Sequence, residues 1–342
     1  MDFLSFPLPN NLVIFVSGAA AIWVSGTLLA GYADEIARRT GVGHVLVGLF
    51  LLAGVTSLPE IATSFTAAYK GDAELAVSSL LGSTALQVTV LAIGDLIYSK
   101  RALTYVVPEP ALMLQGTLSV ILLSLVAAGI VNGDGPFLGA GGWTWSLFVA
   151  ALYAFYKLHE AEQREPWIAN ISEDEVPQKS GKKEAASPVH WLPIKTFFCA
   201  ITILVAGVFV AGSGGAIAAQ TGIGSSFMGM AFLAISNTLP EVSTIFSAMR
   251  QRLYSLAISD IFGANIINIV LVFGVDLVGD KGPVLNELDK FAVLGALLGM
   301  ILISLFLMGL AERRDRVFLR MGEDSVLVLV FYVIGMLLLY NL

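Results

Sequence analysis

The stretch Gly54-Val55-Thr56-Ser57-Leu58-Pro59-Glu60 returns 181 residues later as Ile235-Ser236-Asn237-Thr238-Leu239-Pro240-Glu241. The same offset holds without a gap from residues 22–97 onto 203–278, where 25 of 76 positions are identical. Each copy places a proline and a glutamate inside a long apolar run. An ionisable side chain in hydrocarbon is costly, and one that persists there marks a functional site. Two of them, set by an internal repeat beside a helix-breaking residue, predict a midplane ion site between broken helices.

The rest of the chain fits a bilayer. It is 56% hydrophobic and 13% charged, with a mean hydropathy of +0.82. That much apolar surface excludes a soluble globular protein. The formal net charge of −7 says less than the placement of the charges. The single cysteine, Cys199, cannot form an intrachain disulfide and reads as a small lipid- or core-facing residue. Residues 1–10 lack a basic n-region, so no cleavable signal peptide is expected. No segment reads as a soluble catalytic domain.

Ten apolar segments approach the ~20 residues a crossing needs. They lie at 11–31, 45–69, 73–97, 111–131, 142–158, 191–219, 225–249, 253–278, 288–311 and 325–342. The polar stretch 160–190, rich in Pro, Ser, Lys and Glu, is expected to be a flexible cytoplasmic linker between units at 1–159 and 191–342. With the N-terminus outside, 16 basic residues fall in inside connections. Only Lys70, Lys281 and Lys290 fall outside. The positive-inside rule then puts both termini on the extracytoplasmic side. Five spans per half is an odd number, so the second half must sit upside down. The expected fold is an all-α polytopic membrane protein, ten transmembrane helices as two inverted five-helix repeats.

Pro59 and Pro240 fall within the second and seventh spans. Proline supplies no N–H and clashes with the carbonyl four residues back, which frees carbonyls near Val55–Thr56 and Ser236–Asn237. In lipid such groups must find partners. Thr56, Ser57, Asn237 and Thr238 offer some, and a cation could complete the set with Glu60 and Glu241. The ligands are all oxygen, which suits Ca²⁺ or Na⁺. No His or Cys cluster favours zinc or copper. A pair of structural kinks would explain one motif but not two intramembrane glutamates at equivalent places. The third and eighth spans add Gly82-Ser83-Thr84-Ala85-Leu86-Gln87 and Gly263-Ala264-Asn265-Ile266-Ile267-Asn268. Their glycines would allow close helix approach. Gln87 and Asn268 read equally as ion ligands or as ordinary interhelical hydrogen-bonding residues. Asp260, on the face of Asn268 and matched by Ser79, could ligate the ion, carry a proton or sit at the entrance. Asp95 and Asp276, identical across the repeat, read as markers of helix ends or of the interface rather than as part of the site.

At these residues the chain resembles the calcium/cation antiporter superfamily, in particular the prokaryotic sodium/calcium exchangers. The likeness rests on Thr56-Ser57-Leu58-Pro59-Glu60, Asn237-Thr238-Leu239-Pro240-Glu241 and the two glycine motifs, and it extends through the whole five-plus-five layout. It implies alternating access, with Ca²⁺ and either Na⁺ or H⁺ competing for one central site in the inner membrane. By position it implies that Glu60, Glu241, Thr56 and Asn237 bind Ca²⁺. Ser57, Ser83, Gln87, Thr238, Ala264 and Asn268 fall on Na⁺-ligand or neighbouring positions. The chain departs from the family in having Gln87 where Asn is frequent, Asn268 where Asp is frequent and Ala264 where Ser is usual. Two ionised glutamates neutralise one Ca²⁺ or two monovalent ions, which points to two monovalent ions per Ca²⁺ rather than three.

The expected substrates are Ca²⁺ with Na⁺ or H⁺. The expected surroundings are the lipid bilayer, with no nucleic acid, no cofactor and a monomer sufficient for transport. A cation channel would more often build a ring of equivalent groups about an axis. An intramembrane enzyme would need a metal-ligand motif or nucleophile elbow that the sequence lacks.

Overall fold

In a computed structural model, seven unbroken helices among the described residues are each long and apolar enough to cross a bilayer. They are α1 (Leu8–Thr40), α4 (Ala73–Tyr98), α5 (Pro110–Asn132), α7 (Leu192–Gln220), α9 (Tyr254–Val278), α10 (Lys290–Glu312) and α11 (Glu323–Tyr340). An eighth crossing is a bent pair, α2 (His44–Thr56) and α3 (Leu58–Tyr69), which turns by 47°. Helix α6 (Gly142–Arg164) covers the expected fifth span, and α8 (Leu239–Arg250) the second part of the expected seventh. The structure describes residues 3–98, 101–107, 109–164, 191–221, 234–279, 281–318 and 320–340. Most of the expected linker and the first part of the seventh span lie outside them.

Local chemistry sets the helix ends. Gly41, at φ 72°, closes α1 in the left-handed conformation and donates its N–H to the Ala37 carbonyl. Asp289 caps α10 by accepting from Phe291 N at 2.8 Å. Two helices outrun their expected ends. The polar last turns of α1 pair Asp34 with Arg38 at 2.9 Å and Glu35 with Arg39. The end of α6 pairs Lys157 with Glu160 at 2.8 Å and Glu160 with Arg164. Such i,i+3 and i,i+4 pairs prolong a helix beyond the apolar segment. Residues 160–164 are therefore helix, not linker.

The repeat reaches further than sequence identity shows. Hairpin β1 (Pro136–Phe137) and β2 (Ala140–Gly141) precedes α6, and hairpin β3 (Val317–Phe318) and β4 (Met321–Gly322) precedes α11. Each is closed by an equivalent bond: Gly142 N donates to Gly135 O at 2.8 Å, and Glu323 N to Arg316 O at 3.1 Å. All these pairs keep the 181-residue offset.

Helices α4 and α9 are the most buried of the long helices, and α9 packs against α2, α3, α4, α5, α6 and α8. Helix α1 lies along α7. Each also covers a proline-broken helix of the opposite half, α1 on α8 and α7 on α3. Phe197, Phe198, Val205, Leu337 and Leu338 face outward, an apolar exterior suited to lipid. Cys199 is buried, which makes it core-facing.

Candidate cation site

The two Leu-Pro-Glu motifs sit where their helices break. Thr56 is the last residue of α2, Ser57 lies in the break, and Glu60 is in the first turn of α3. In the second half residues 234–237 are helical, Thr238 forms the break, and Glu241 is in the first turn of α8. Pro59 and Pro240 occupy the first helical turns, where their missing N–H costs least. The break thus falls at Ser57 and Thr238, one residue before each Leu-Pro pair. One feature has no signal in the repeat: Gly48–Leu52 in α2 widens into a π turn, a local distortion common at functional sites.

The motifs meet. Thr56, from the first half, lies beside the Glu241 carboxylate of the second, and Glu241 interacts electrostatically with Glu60 and Asp260. Thr56, Ser57, Glu60, Asn237, Thr238 and Glu241 are all buried, as are Ser83, Gln87, Asn268 and Asp260 on α4 and α9. Every residue singled out for the site is therefore withdrawn from lipid and solvent.

Their polar atoms divide into two groups. Thr56 donates to Leu52 O at 3.0 Å, and Thr238 to Ala234 O at 2.8 Å. By contrast, both oxygens of Glu60 and of Glu241 have no hydrogen-bond partner among the described residues. The same holds for Ser57 Oγ, Ser83 Oγ, Asn237 Oδ1 and the amide atoms of Gln87 and Asn268. A buried polar atom normally finds a partner. These unpaired atoms lie on α3, α4, α8, α9 and the residues just before α3 and α8. Gln87 and Asn268 make no interhelical hydrogen bond among the described residues.

Asn265 joins this set unannounced. It is fully buried and both its amide atoms lack partners among the described residues. Its repeat counterpart, Thr84, is satisfied by Leu80 O at 3.2 Å. The sequence shows an amide three residues before Asn268 but not that it lacks a partner.

Asp260 behaves differently from the glutamates. Oδ1 accepts from Thr56 Oγ1 at 3.4 Å and Oδ2 from Thr244 Oγ1 at 2.5 Å. Among the described residues no three side chains of His, Cys, Asp or Glu converge closely enough to hold one metal ion. A cation here would be held by the two glutamates and neutral oxygens.

Close helix approach is real at one of the two glycine motifs. A Cβ on Gly263 would lie 2.8 Å from Ala53 Cβ, so α9 touches α2 there. No described atom lies within 4 Å of a Cβ placed on Gly82. Ala264 is buried and offers no side-chain oxygen. Asp95 and Asp276 lie at helix ends, as expected, but as three-bonded clamps. Asp95 accepts from Leu103 N at 3.1 Å, Gly322 N at 2.8 Å and Ser325 Oγ at 2.7 Å. Asp276 accepts from the repeat equivalents: Val284 N at 2.6 Å, Gly141 N at 2.7 Å and the Thr144 hydroxyl.

The apolar helices, the repeated Leu-Pro-Glu helix starts and the buried polar side chains between them define a helical membrane protein. The chain belongs to the sodium/calcium exchanger protein family, whose model matches residues 10–159 and 192–341. That places it in the calcium/cation antiporter superfamily. It is similar to the inner membrane protein YrbG of Escherichia coli K12, at 27% identity over 87% of this chain and 90% of that protein. It is also similar to the sodium/calcium exchanger MaX1 of Methanosarcina acetivorans, at 25% identity over 94% and 99%. Among solved structures, the sodium-calcium exchanger NCX_Mj, soaked with 2.5 mM Na⁺ and 0.1 mM Sr²⁺, shares the fold. The TM-score is 0.70 at 19% identity, covering 97% of this chain and 99% of that one.

Proposed function

We propose that the protein exchanges Ca²⁺ for Na⁺ by alternating access at the cradle between the two motifs. The observation that carries this reading is the set of unpaired oxygens around Glu60 and Glu241. Glu60, Glu241, Thr56 and Asn237 are the Ca²⁺ ligands. Ser57, Ser83, Gln87, Thr238 and Asn268 complete the monovalent positions, with Asn265 added to the same wall. Neutral oxygens left without partners, at Ser57, Ser83 and Gln87 in the first half, favour Na⁺ over H⁺ as the counter-ion, because a proton needs no such cage. The carbonyl end of α2 faces the cation, and the N-terminal turns of α3 and α8 carry the glutamates, the arrangement expected of discontinuous helices.

The same reading places the two five-helix units in opposite orientations, with both termini outside the cytoplasm, in the inner membrane. Contacts support the assignment of ends. Lys281 reaches Gly71 O at 2.6 Å, joining two loops expected outside. Arg101 pairs with Asp315 at 3.6 Å and Lys195 lies over the Tyr32 ring at 5.7 Å, joining segments expected inside. One chain supplies both motifs, so a monomer suffices.

The test is ⁴⁵Ca²⁺ uptake into reconstituted vesicles loaded with Na⁺ or with acid. Na⁺-loaded vesicles should accumulate Ca²⁺, and Glu60→Gln and Glu241→Gln should abolish it. Uptake driven only by the acid load would overturn the choice of Na⁺. Normal transport by both variants would overturn the site.

A further inference from the structure

We infer that Asp260 is a specificity-determining carboxylate that favours divalent over monovalent cations by its charge, from outside the coordination sphere. The inference rests on the cation site proposed at Glu60 and Glu241. Three observations support it. First, the oxygens of Asp260 are already engaged by hydroxyls, Thr56 at 3.4 Å and Thr244 at 2.5 Å. All four oxygens of Glu60 and Glu241 lack partners among the described residues. The close contact is Thr244; Thr56, whose single hydroxyl hydrogen also reaches Leu52 O at 3.0 Å, is the longer partner. Second, among the described residues no three acidic groups converge on one ion, so Asp260 does not close a shell with both glutamates. Third, Asp260 is fully buried and interacts electrostatically with Glu241, in surroundings where a unit charge is felt well beyond contact distance.

Its two partners explain why it is held back from the ion. Thr56 ends α2 and Thr244 stands in α8 one turn after Glu241, whose carbonyl it also meets at 3.0 Å. Asp260 on α9 thus ties together broken helices from both halves. The equivalent position in the first half is Ser79, so this charge is not duplicated and acts on the site from one side only. Two ligating carboxylates still match one Ca²⁺ or two monovalent ions. The third charge shifts the balance between them, because Coulomb energy at a fixed distance doubles with the charge of the ion.

The test is equilibrium binding to the purified full chain in detergent, with Ca²⁺, Sr²⁺ and Ba²⁺, and with Na⁺ in competition. For Asp260→Asn the factor lost for Ca²⁺ should be near the square of the factor lost per Na⁺ ion, for example about tenfold against about threefold. The Ca²⁺:Sr²⁺:Ba²⁺ affinity ratios should stay as in the wild type, since no ligand is removed. A change in those ratios would make Asp260 a direct ligand and overturn the inference. Equal losses for both charges, or none, would also overturn it. Asp260→Glu should keep the wild-type preference, and its loss would again overturn the inference. Should Asp260→Asn not fold, Asp260→Ser, which copies Ser79, carries the same expectations. Glu60→Gln is the control for the underlying site: undiminished Ca²⁺ binding there would refute the site itself, whatever Asp260 does.

Discussion

At the scale of single residues, burial without a hydrogen-bond partner among the described residues sets Glu60 and Glu241 apart from Asp95 and Asp276. Asn268 illustrates the consequence. It is a buried amide whose atoms are unpaired among the described residues, and in the proposed site it joins two glutamates that together balance one Ca²⁺ or two monovalent ions. Asn268→Asp would add a third ligating charge. Ca²⁺ should then bind about tenfold tighter or more, equivalent to about 1.4 kcal/mol. Exchange should also become sensitive to an imposed membrane potential, because the extra charge would recruit an extra monovalent ion. Liposome uptake under a set K⁺ diffusion potential reads this directly: the wild type should be indifferent to voltage and the variant should not. Asn265→Ala should weaken binding by about tenfold for a comparable energy, measured as the Ca²⁺ concentration for half-maximal uptake. Glu60, Glu241 and their motif neighbours stand out in the sequence because a carboxylate in hydrocarbon is costly and here is duplicated. Asn265 does not, because sequence does not reveal which buried amide lacks a partner. For the same reason the hydroxyls that occupy Asp260 could not be foreseen, since Thr244 carries no sign of its role in the sequence.

At the scale of elements, the covering helices α1 and α7 approach the broken helices through equivalent glycines, but not equivalently. A Cβ on Gly207 would fall 2.3 Å from Pro59 Cγ and 2.6 Å from its Cβ, against a rigid ring. A Cβ on Gly26 would fall against the Ser243 hydroxyl, which can turn away, and 2.9 Å from Ser243 Cβ, which cannot but is a single atom rather than a ring. Gly207→Ala should therefore cost about 1–3 kcal/mol through overpacking, and Gly26→Ala less. Thermal unfolding in detergent should show the larger drop for Gly207→Ala. Equal drops would mean that α1 and α7 are held alike. The existence and order of the helices were readable from apolar length. Their ends were less so: the charged turns of α1 and α6 look like solvated loop until Asp34–Arg38 and Lys157–Glu160 are seen paired along a helix. The π turn at Gly48–Leu52 left no mark, because its residues are as apolar as their neighbours.

At the scale of the whole molecule, the two halves are fastened crosswise by Asp95 and Asp276. Asp95, at the end of α4, holds the hairpin and helix start of the second half through Gly322 and Ser325. Asp276, at the end of α9, holds those of the first half through Gly141 and Thr144. The most buried long helices, which carry the cradle walls, are thereby pinned to the outer helices at each end, while α1 and α7 are not part of either clamp. Both kinds of buried carboxylate are repeated at the same offset, yet they should respond oppositely to neutralisation. Asp276→Ala removes three hydrogen bonds and strands the Gly141 and Val284 N–H groups. Leaving such groups unsatisfied, with a charged acceptor lost, should cost about 3–5 kcal/mol. Glu60→Gln removes no hydrogen bond among the described residues and relieves a buried unpaired charge, so the ion-free protein should keep its melting temperature or gain on it. Thermal unfolding of both variants without Ca²⁺, followed by repetition with Ca²⁺ added, separates the roles. The clamp variant should melt early but still be stabilised by Ca²⁺. The site variant should melt normally and lose that stabilisation, which mass action grants only to a protein that binds the ion. A Ca²⁺-stabilised Glu60→Gln, or an Asp276→Ala that melts like the wild type, would show that the two carboxylate pairs had been assigned to the wrong tasks.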